Sequence, residues 1–115
     1  EINFPEGLTK ISRNAFRGCK ILTEITLPDG VTEIGDSAFE GCTGLIKINL
    51  PRALTSIGNY AFDGCTSLTE INLPEGLTKI NRNAFYDCRR VTKVTLPDSL
   101  TEIGEFAFYR RTSLT

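Results

Sequence analysis

A 23-residue period runs through the whole chain and constrains its fold more than any other feature of the sequence. Prolines stand at positions 5, 28, 51, 74 and 97, and an Ala-Phe pair begins at positions 15, 38, 61, 84 and 107. Cysteines keep the same step at positions 19, 42, 65 and 88. Self-similarity at a fixed period of this size is typical of solenoids, in which each unit buries its apolar side only against its neighbours. The 115 residues therefore predict one domain of five stacked 23-residue units.

One unit, LTEITLPDGVTEIGDSAFEGCTG at 22–44, shows how each coil is expected to fold. In its first part Ile25 and Leu27 alternate with polar residues, which is the period of a strand with one buried face. Pro28 has no amide hydrogen for a strand ladder and ends this segment. The pattern predicts parallel strands near 24–27, 47–50, 70–73 and 93–96.

The second part of the unit predicts another short extended segment and an outer turn. In VTEI, Val31 and Ile34 are expected to point inward. The following DSAFEGC is short and begins with a residue that often caps helices, so it predicts a short helical turn on the outer side. One coil cannot bury its own apolar side, whereas stacked coils cover one another.

The repeated pattern LxxIxLPxxLxxIxxxAFxxC resembles the BspA-like subclass of leucine-rich repeats, and the resemblance covers the whole chain. The units fall at about 1–21, 22–44, 45–67, 68–90 and 91–113. The resemblance implies a right-handed, curved leucine-rich repeat solenoid, either α/β or mainly β. It also implies an extracellular or cell-surface location and a role in binding or adhesion.

The cysteine column admits four interpretations, of which a buried small side chain is favoured. Cys65 follows the apolar Ala61 and Phe62 by one turn and lies on the same face, and free cysteine is among the most buried residue types. Coils stacked about 4.8 Å apart would also permit a disulfide between neighbours. A metal site would need closely spaced cysteine pairs, and a nucleophile would need a base; the chain has no such pairs and no His.

Composition argues against several classes of function. The net charge of -1 offers no field for nucleic acid, and no apolar run reaches the length of a membrane span. The chain has no His and no glycine-rich phosphate loop, and its carboxylates recur with the repeat. We therefore expect that the protein is not an enzyme, that it binds no cofactor and that it has no nucleic-acid partner.

The outward positions of the first strand predict a concave binding face with charges that alternate from coil to coil. Opposite charges on neighbouring strands stabilise their register, which is the alternative role of this column. The face comprises Glu24, Thr26, Lys47, Asn49, Glu70, Asn72, Lys93 and Thr95.

A second candidate surface is a convex patch of aromatic and basic residues in the C-terminal part of the chain. Aromatic and Arg side chains are better anchors for a ligand than small polar ones. The alternative is neutral variation on a tolerant outer surface. The patch comprises Tyr86, Arg89, Arg90, Phe106 and Tyr109, and Tyr60 shares the column of Phe106.

Two functions from different classes follow from these surfaces. The first is a binding module that engages a protein or a glycan, most readily at the concave face. The second is a structural spacer whose coils stack on other copies. Joining 113–115 to the first residues gives SLTEINFPEGLTKI, an intact unit, so head-to-tail self-association is possible on this hypothesis.

Overall fold

The computed structural model describes residues 2–108, which form a parallel β-solenoid with the predicted 23-residue step. The predicted solenoid of stacked coils is therefore confirmed as the fold. All described strand pairs are parallel. The strands are β1 (Lys10–Ile11), β2 (Glu24–Thr26), β3 (Glu33–Ile34), β4 (Lys47–Asn49), β5 (Ser56–Ile57), β6 (Glu70–Asn72), β7 (Lys79–Ile80), β8 (Lys93–Thr95) and β9 (Glu102–Ile103).

The second extended segment of each unit builds a continuous five-stranded sheet in the order β1-β3-β5-β7-β9. Val31 and Ile34 are buried as predicted. A threonine just before each of these strands supports the stack, because the hydroxyls of Thr32, Thr55 and Thr78 each donate to the carbonyl 23 residues earlier. Apolar side chains thus point inward while polar side chains link neighbouring coils on the outside.

The first strand of each unit pairs less completely than predicted. Strands occur at all four expected positions, each one residue shorter at its C-terminal end, but they form two separate pairs, β2-β4 and β6-β8. Between β4 and β6 the Thr69 amide donates to the Ile46 carbonyl at 3.3 Å, whereas the Ile46 amide reaches the Thr23 carbonyl at 2.8 Å. A single long bond is too little to continue the ladder, so the first strands form two separate pairs and not one continuous sheet.

The predicted outer helical turns are also wrong, because the outer segments divide their hydrogen bonds between two coils. The Ala38 and Glu40 amides donate within the coil to carbonyls three residues back, at 3.2 Å each. The Ser37 and Phe39 amides donate instead to the next coil, at 2.8 Å each. In a helix the amides donate to carbonyls of the same segment, not to another coil. The positive φ of 59° at Ser37 also departs from helical geometry.

The core runs along the stack as columns of identical side chains. Rings of Phe16, Phe39, Phe62, Phe85 and Phe108 stack with centroid distances of 5.1–5.3 Å and interplanar angles of 2–7°. Ile, Leu, Val, Ala and Cys columns surround this stack, and no polar or charged residue is buried within residues 2–108. The interior is therefore purely apolar apart from the thiols.

All four cysteines are free thiols, and three of them are fully buried in this core. The Cys42, Cys65 and Cys88 thiols donate to main-chain carbonyls of the preceding coil at 3.1–3.2 Å. Burial raises the pKa of Cys42 to about 11 and raises the pKa of Cys65 further. A protonated, hydrogen-bonded thiol in an apolar column is a structural side chain, as the sequence predicted.

Candidate binding site

The residues of the predicted concave face lie side by side on the outside of the first strands. Glu24 stands opposite Lys47 in one strand pair, and Glu70 stands opposite Lys93 in the other. All eight residues are exposed or half-buried. Thr26 is linked to Asn49, whose side-chain amide donates to the Thr26 hydroxyl at 2.8 Å. The structure brings these residues into register; their role in binding stays a prediction.

The alternating charges on that face do not form close ion pairs. Within residues 2–108, Lys10 pairs with Glu33 of the next coil at 3.7 Å, and Lys79 pairs with Glu102 at 4.0 Å. No nitrogen–oxygen contact within 4.0 Å joins Glu24 to Lys47 in this part of the chain. The ion pairs found between coils therefore lie on the five-stranded sheet and, for Arg17 and Glu40 at 3.5 Å, on the outer turns. Such exposed pairs contribute little stability, about 0–1 kcal/mol each.

The predicted convex patch separates into two parts. Arg89 donates from Nε to the Asp87 carboxylate at 2.7 Å, and this hydrogen bond raises the pKa of the Arg89 guanidinium. Arg90 is exposed nearby. Tyr86 and Phe106 lie elsewhere, in a cleft on the outer turns, while Tyr109 lies outside the described residues. Arg89 is held by an intramolecular partner, so the aromatic part of the patch is the stronger candidate for a binding site.

The aromatic cleft is an open depression of about 330 Å³ between three consecutive outer turns. It is lined by Tyr60, Arg82, Asn83, Tyr86 and Phe106. The Tyr60 amide donates to the Arg82 carbonyl at 2.9 Å, and the Asn83 amide donates to the Glu105 carbonyl at 3.0 Å. These bonds hold the three turns in fixed register, so the cleft has a rigid floor.

Tyr60, Asn83 and Phe106 occupy the same position in successive coils, with the two aromatic residues flanking the asparagine. Tyr60 is 36% exposed and Phe106 is 47% exposed, so both rings offer apolar surface to a ligand. The Asn83 Oδ1 atom is shielded and accepts no hydrogen bond from residues 2–108. Leaving a buried acceptor unsatisfied costs about 1–3 kcal/mol.

The main chain at this position is left-handed in every coil. The φ angles are 60° at Asn14, 59° at Ser37, 61° at Tyr60, 56° at Asn83 and 60° at Phe106. Asn tolerates this region better than other residues with a side chain, whereas an aromatic residue there adds a cost on the order of 1 kcal/mol. Tyr60 and Phe106 in left-handed main chain, beside an unsatisfied Asn83 amide, make this region less stable than it would be with other residues. Backbone strain of this kind clusters at functional sites.

The sequence contained part of this site. The 23-residue step places Tyr60 and Phe106 in one column, which the prediction noted, but Asn83 was not part of the predicted patch. Asn83 belongs to the same column by its number alone. Its unsatisfied oxygen depends on packing between coils and has no signal in the sequence.

A second depression of about 270 Å³ lies where the five-stranded sheet meets the outer turns. It is lined mainly by polar groups of both charges, among them Lys10, Arg13, Glu33 and Asp36. Lys10 and Glu33 already pair with each other. This depression offers no apolar anchor, so it is a weaker candidate than the aromatic cleft.

Carboxylates of three neighbouring outer turns affect one another at Asp63. Burial raises the pKa of Asp63 to about 6, with further contributions from Glu40 and Asp87. Within residues 2–108, no three His, Cys, Asp or Glu side chains are placed to hold a metal ion. No helix in this part of the chain is long and apolar enough to cross a membrane.

Comparison with protein families gives one match across residues 1–115, to the family described as "BspA type Leucine rich repeat region (6 copies)". Comparison with curated protein sequences gives no significant match.

Three solved structures are similar to the chain. The leucine-rich repeat protein TpLRR of T. pallidum is 38% identical with a TM-score of 0.90, over 96% of this chain and 54% of that protein. A leucine-rich repeat protein from Bacteroides ovatus is 26% identical with a TM-score of 0.76, over 93% of this chain and 33% of that one. A leucine-rich cell surface protein from Faecalibacterium prausnitzii is 27% identical with a TM-score of 0.61, over 99% of this chain and 44% of that one. The chain thus spans between a third and somewhat more than half of these proteins.

Proposed function

Because the chain belongs to the BspA-type leucine-rich repeat family, we propose that it is a non-catalytic binding module of an extracellular or cell-surface protein. One of the similar structures is a cell surface protein, which supports this location. The ligand is a protein or a glycan, bound on the side of the coil stack. The proposal concerns this chain alone, because the similar proteins are longer than it is.

The aromatic cleft is the observation that carries this proposal. The interior is apolar and its thiols are protonated, so chemistry toward a partner is confined to the surface. On that surface the cleft combines exposed rings with polar groups of Arg82 and Asn83, which is the composition of an interface anchor. Aromatic residues in left-handed main chain destabilise the fold slightly, and a binding role gives a reason for their presence.

The predicted concave face remains a second docking surface for the same function. Its residues are small or charged and carry no aromatic anchor, so binding there would be shallow and would depend on repetition over several coils. A large ligand that spans more than one side of the stack would contact both surfaces.

The spacer hypothesis is the alternative, and it rests on the repetition of nearly identical coils. It assigns no ligand to the aromatic cleft and expects self-association through the ends of the stack. Light scattering over a range of protein concentrations distinguishes a monomeric binding module from a stacking one.

The test of the proposed function is an array of extracellular-matrix proteins and glycans probed with the labelled chain. We expect at least one reproducible ligand, and weaker binding of that ligand by the Tyr60→Asn variant. Absence of any ligand, together with concentration-dependent oligomers, would contradict the proposal and favour the spacer.

A further inference from the structure

We propose that the outer face along the five-stranded sheet binds the same face of a second copy of this chain, in a two-fold symmetric dimer whose coil stacks run antiparallel. The inference goes beyond the proposed function and does not depend on it. The banded face, as we name it, comprises the second and fifth residues of five aligned segments: TKISR at 9–13, TEIGD at 32–36, TSIGN at 55–59, TKINR at 78–82 and TEIGE at 101–105.

Each charged coil of the banded face carries two charges of one sign, and the sign changes along the stack. The first coil holds Lys10 and Arg13, the second holds Glu33 and Asp36, and the third holds only neutral residues. The fourth coil is again positive and the fifth is again negative. Coils at equal distances on either side of the neutral third coil therefore have opposite charges. Turning the pattern end to end exchanges every positive coil for a negative one.

The two charged columns stand beside one another along a shared depression. Lys10, Arg13, Glu33 and Asp36 all line it, together with Gly58, which has no side chain to separate the columns. Like charges in one coil repel each other, whereas the opposite phase in the second column would give each coil an ion pair of its own. The observed phase thus costs stability within the chain. A partner with the reversed pattern would neutralise both columns at once.

Ion pairs inside the chain account for only one of the two columns. The pairs at 3.7 and 4.0 Å between neighbouring coils both lie in the first column, and their side chains are largely exposed. In the second column, Arg13, Arg82 and Glu105 are exposed, and none has an ion pair within 4.0 Å among residues 2–108. The second column therefore presents charges that a partner can neutralise.

A two-fold axis along strand β5, in the plane of the interface, places every charged coil opposite a coil of the other sign. Arg13 then faces Glu105 of the second copy, and Asp36 faces Arg82 of the second copy. Because both copies have the same coil spacing, this register holds over the whole face. A two-fold axis along the stack would instead place each coil on its own equivalent, with like charges facing. The charge pattern therefore selects one of the two face-to-face arrangements.

The balance of charges favours a second copy over other macromolecules. Each column has two positive and two negative residues, so a nucleic acid or an anionic membrane would meet as much repulsion as attraction. Five coils and three residues make a face about 24 Å long and about 10 Å wide. This is smaller than the about 800 Å² that each partner contributes to a stable complex. We expect a weak dimer that forms at low ionic strength.

The test is sedimentation equilibrium of the whole chain over a range of protein concentrations. It compares about 0.01 M with about 1 M salt, at which the screening length is about 30 Å and about 3 Å. At low salt we expect the mass to rise from 12.7 kDa to a limit of twice that value. At high salt we expect the dissociation constant to rise about tenfold or more. Head-to-tail stacking through apolar ends would grow beyond two copies.

Charge reversal at Arg13 and Glu105 gives matched variants at exposed positions, which are expected to keep native circular dichroism. Either Arg13→Glu or Glu105→Arg alone places like charges opposite each other at two symmetric contacts, so we expect dimerisation about tenfold weaker or more. The double variant restores opposite charges and should dimerise as the wild type does. The two residues lie four coils apart in one chain, so this rescue reports a contact between copies. Arg90→Glu makes the same change in net charge outside the face and should leave dimerisation unchanged.

Four results would overturn the proposal. They are a monomer at every concentration in low salt, a mass that grows beyond two copies, failure of the double variant to dimerise, and an equal loss in Arg90→Glu. None of them decides whether the chain binds a ligand from the array, so the proposed binding function stands or fails separately.

Discussion

Truncation of Phe62 to alanine removes the central ring of the phenylalanine stack. Phe62 is fully buried and contacts Phe39 and Phe85 at centroid distances of 5.1 Å on both sides. Loss of a buried Phe side chain costs about 3–5 kcal/mol, and each stacked pair adds about 0.5–1.5 kcal/mol beyond the area buried. The coils above and below are fixed by hydrogen bonds and close the cavity poorly, so we expect a loss of about 4–5 kcal/mol. That is a large share of the roughly 5–15 kcal/mol by which domains of this kind are stable.

The matched control is Phe16→Ala in the first described coil. Phe16 is half-buried and stacks on Phe39 alone at 5.2 Å, with an edge contact from Phe4 at 6.2 Å. We expect a loss of about 2 kcal/mol there, because part of the side chain already meets solvent. The measurement is guanidinium chloride unfolding followed by far-UV circular dichroism. Equal losses in the two variants, or a loss below about 2 kcal/mol in Phe62→Ala, would refute the reasoning from stacked coils.

Three further predictions concern charge, thiols and close packing. The folded-state pKa of Asp63, about 6, exceeds its ordinary 3.8, so its stabilising contribution is full below pH 4 and is lost as the pH rises through 6. Asp63→Asn should therefore raise the free energy of unfolding at pH 7 by about 1 kcal/mol, after allowance for solvent screening of a half-exposed group. The variant should also show a flatter dependence of the unfolding free energy on pH between 4 and 6, and an unchanged pH profile would contradict this. Cys65 should react with a thiol reagent slowly in the native protein and rapidly in denaturant, and rapid native labelling would disprove its burial. Gly58→Ala should lower the free energy of unfolding by about 1–3 kcal/mol, because a Cβ there would lie 2.7 Å from the Asp36 amide nitrogen. Gly30→Ala is the control and should be nearly neutral, since its Cβ would lie 3.4 Å from the nearest atom. Similar losses in the two variants, measured by chemical unfolding, would count against this packing.

The strands and the core were predictable because their signals are local and repeated. Alternation in EIT places Ile25 inward whatever the neighbouring coils do, and the 23-residue step then stacks Ile25 on Ile48. The buried thiol of Cys65 followed in the same way from its position after Phe62. Repetition turned weak local preferences into a reliable prediction of the fold.

The features that the sequence did not predict depend on how hydrogen bonds are divided between coils. The segment containing Ser37 and Phe39 resembles a helical turn locally, but its alternate amides bond to the next coil. The sparse pairing between Ile46 and Thr69 breaks a sheet that the repeat alone would continue. Which amides bond within a coil and which bond to the next coil depends on the geometry of the stack, and no residue pattern in the sequence marks it.

The candidate site was predictable only in its aromatic members. Tyr86 and Phe106 were singled out because aromatic side chains are good anchors for a ligand. Arg89 carried the right chemistry but pairs with Asp87 two residues away, which a count of charges does not reveal. Asn83 gains its significance from an unsatisfied oxygen between two coils, and only the packing shows it.

The central claim is that recognition takes place at the aromatic cleft on the outer turns. Hydrogen–deuterium exchange of the chain, with and without its tightest array ligand, tests this claim most directly. We expect slower exchange in 58–62, 81–86 and 104–108 on binding, and unchanged exchange in β2 and β4. Protection confined to β2, β4, β6 and β8, with none in the outer turns, would place the ligand on the predicted concave face and contradict the claim.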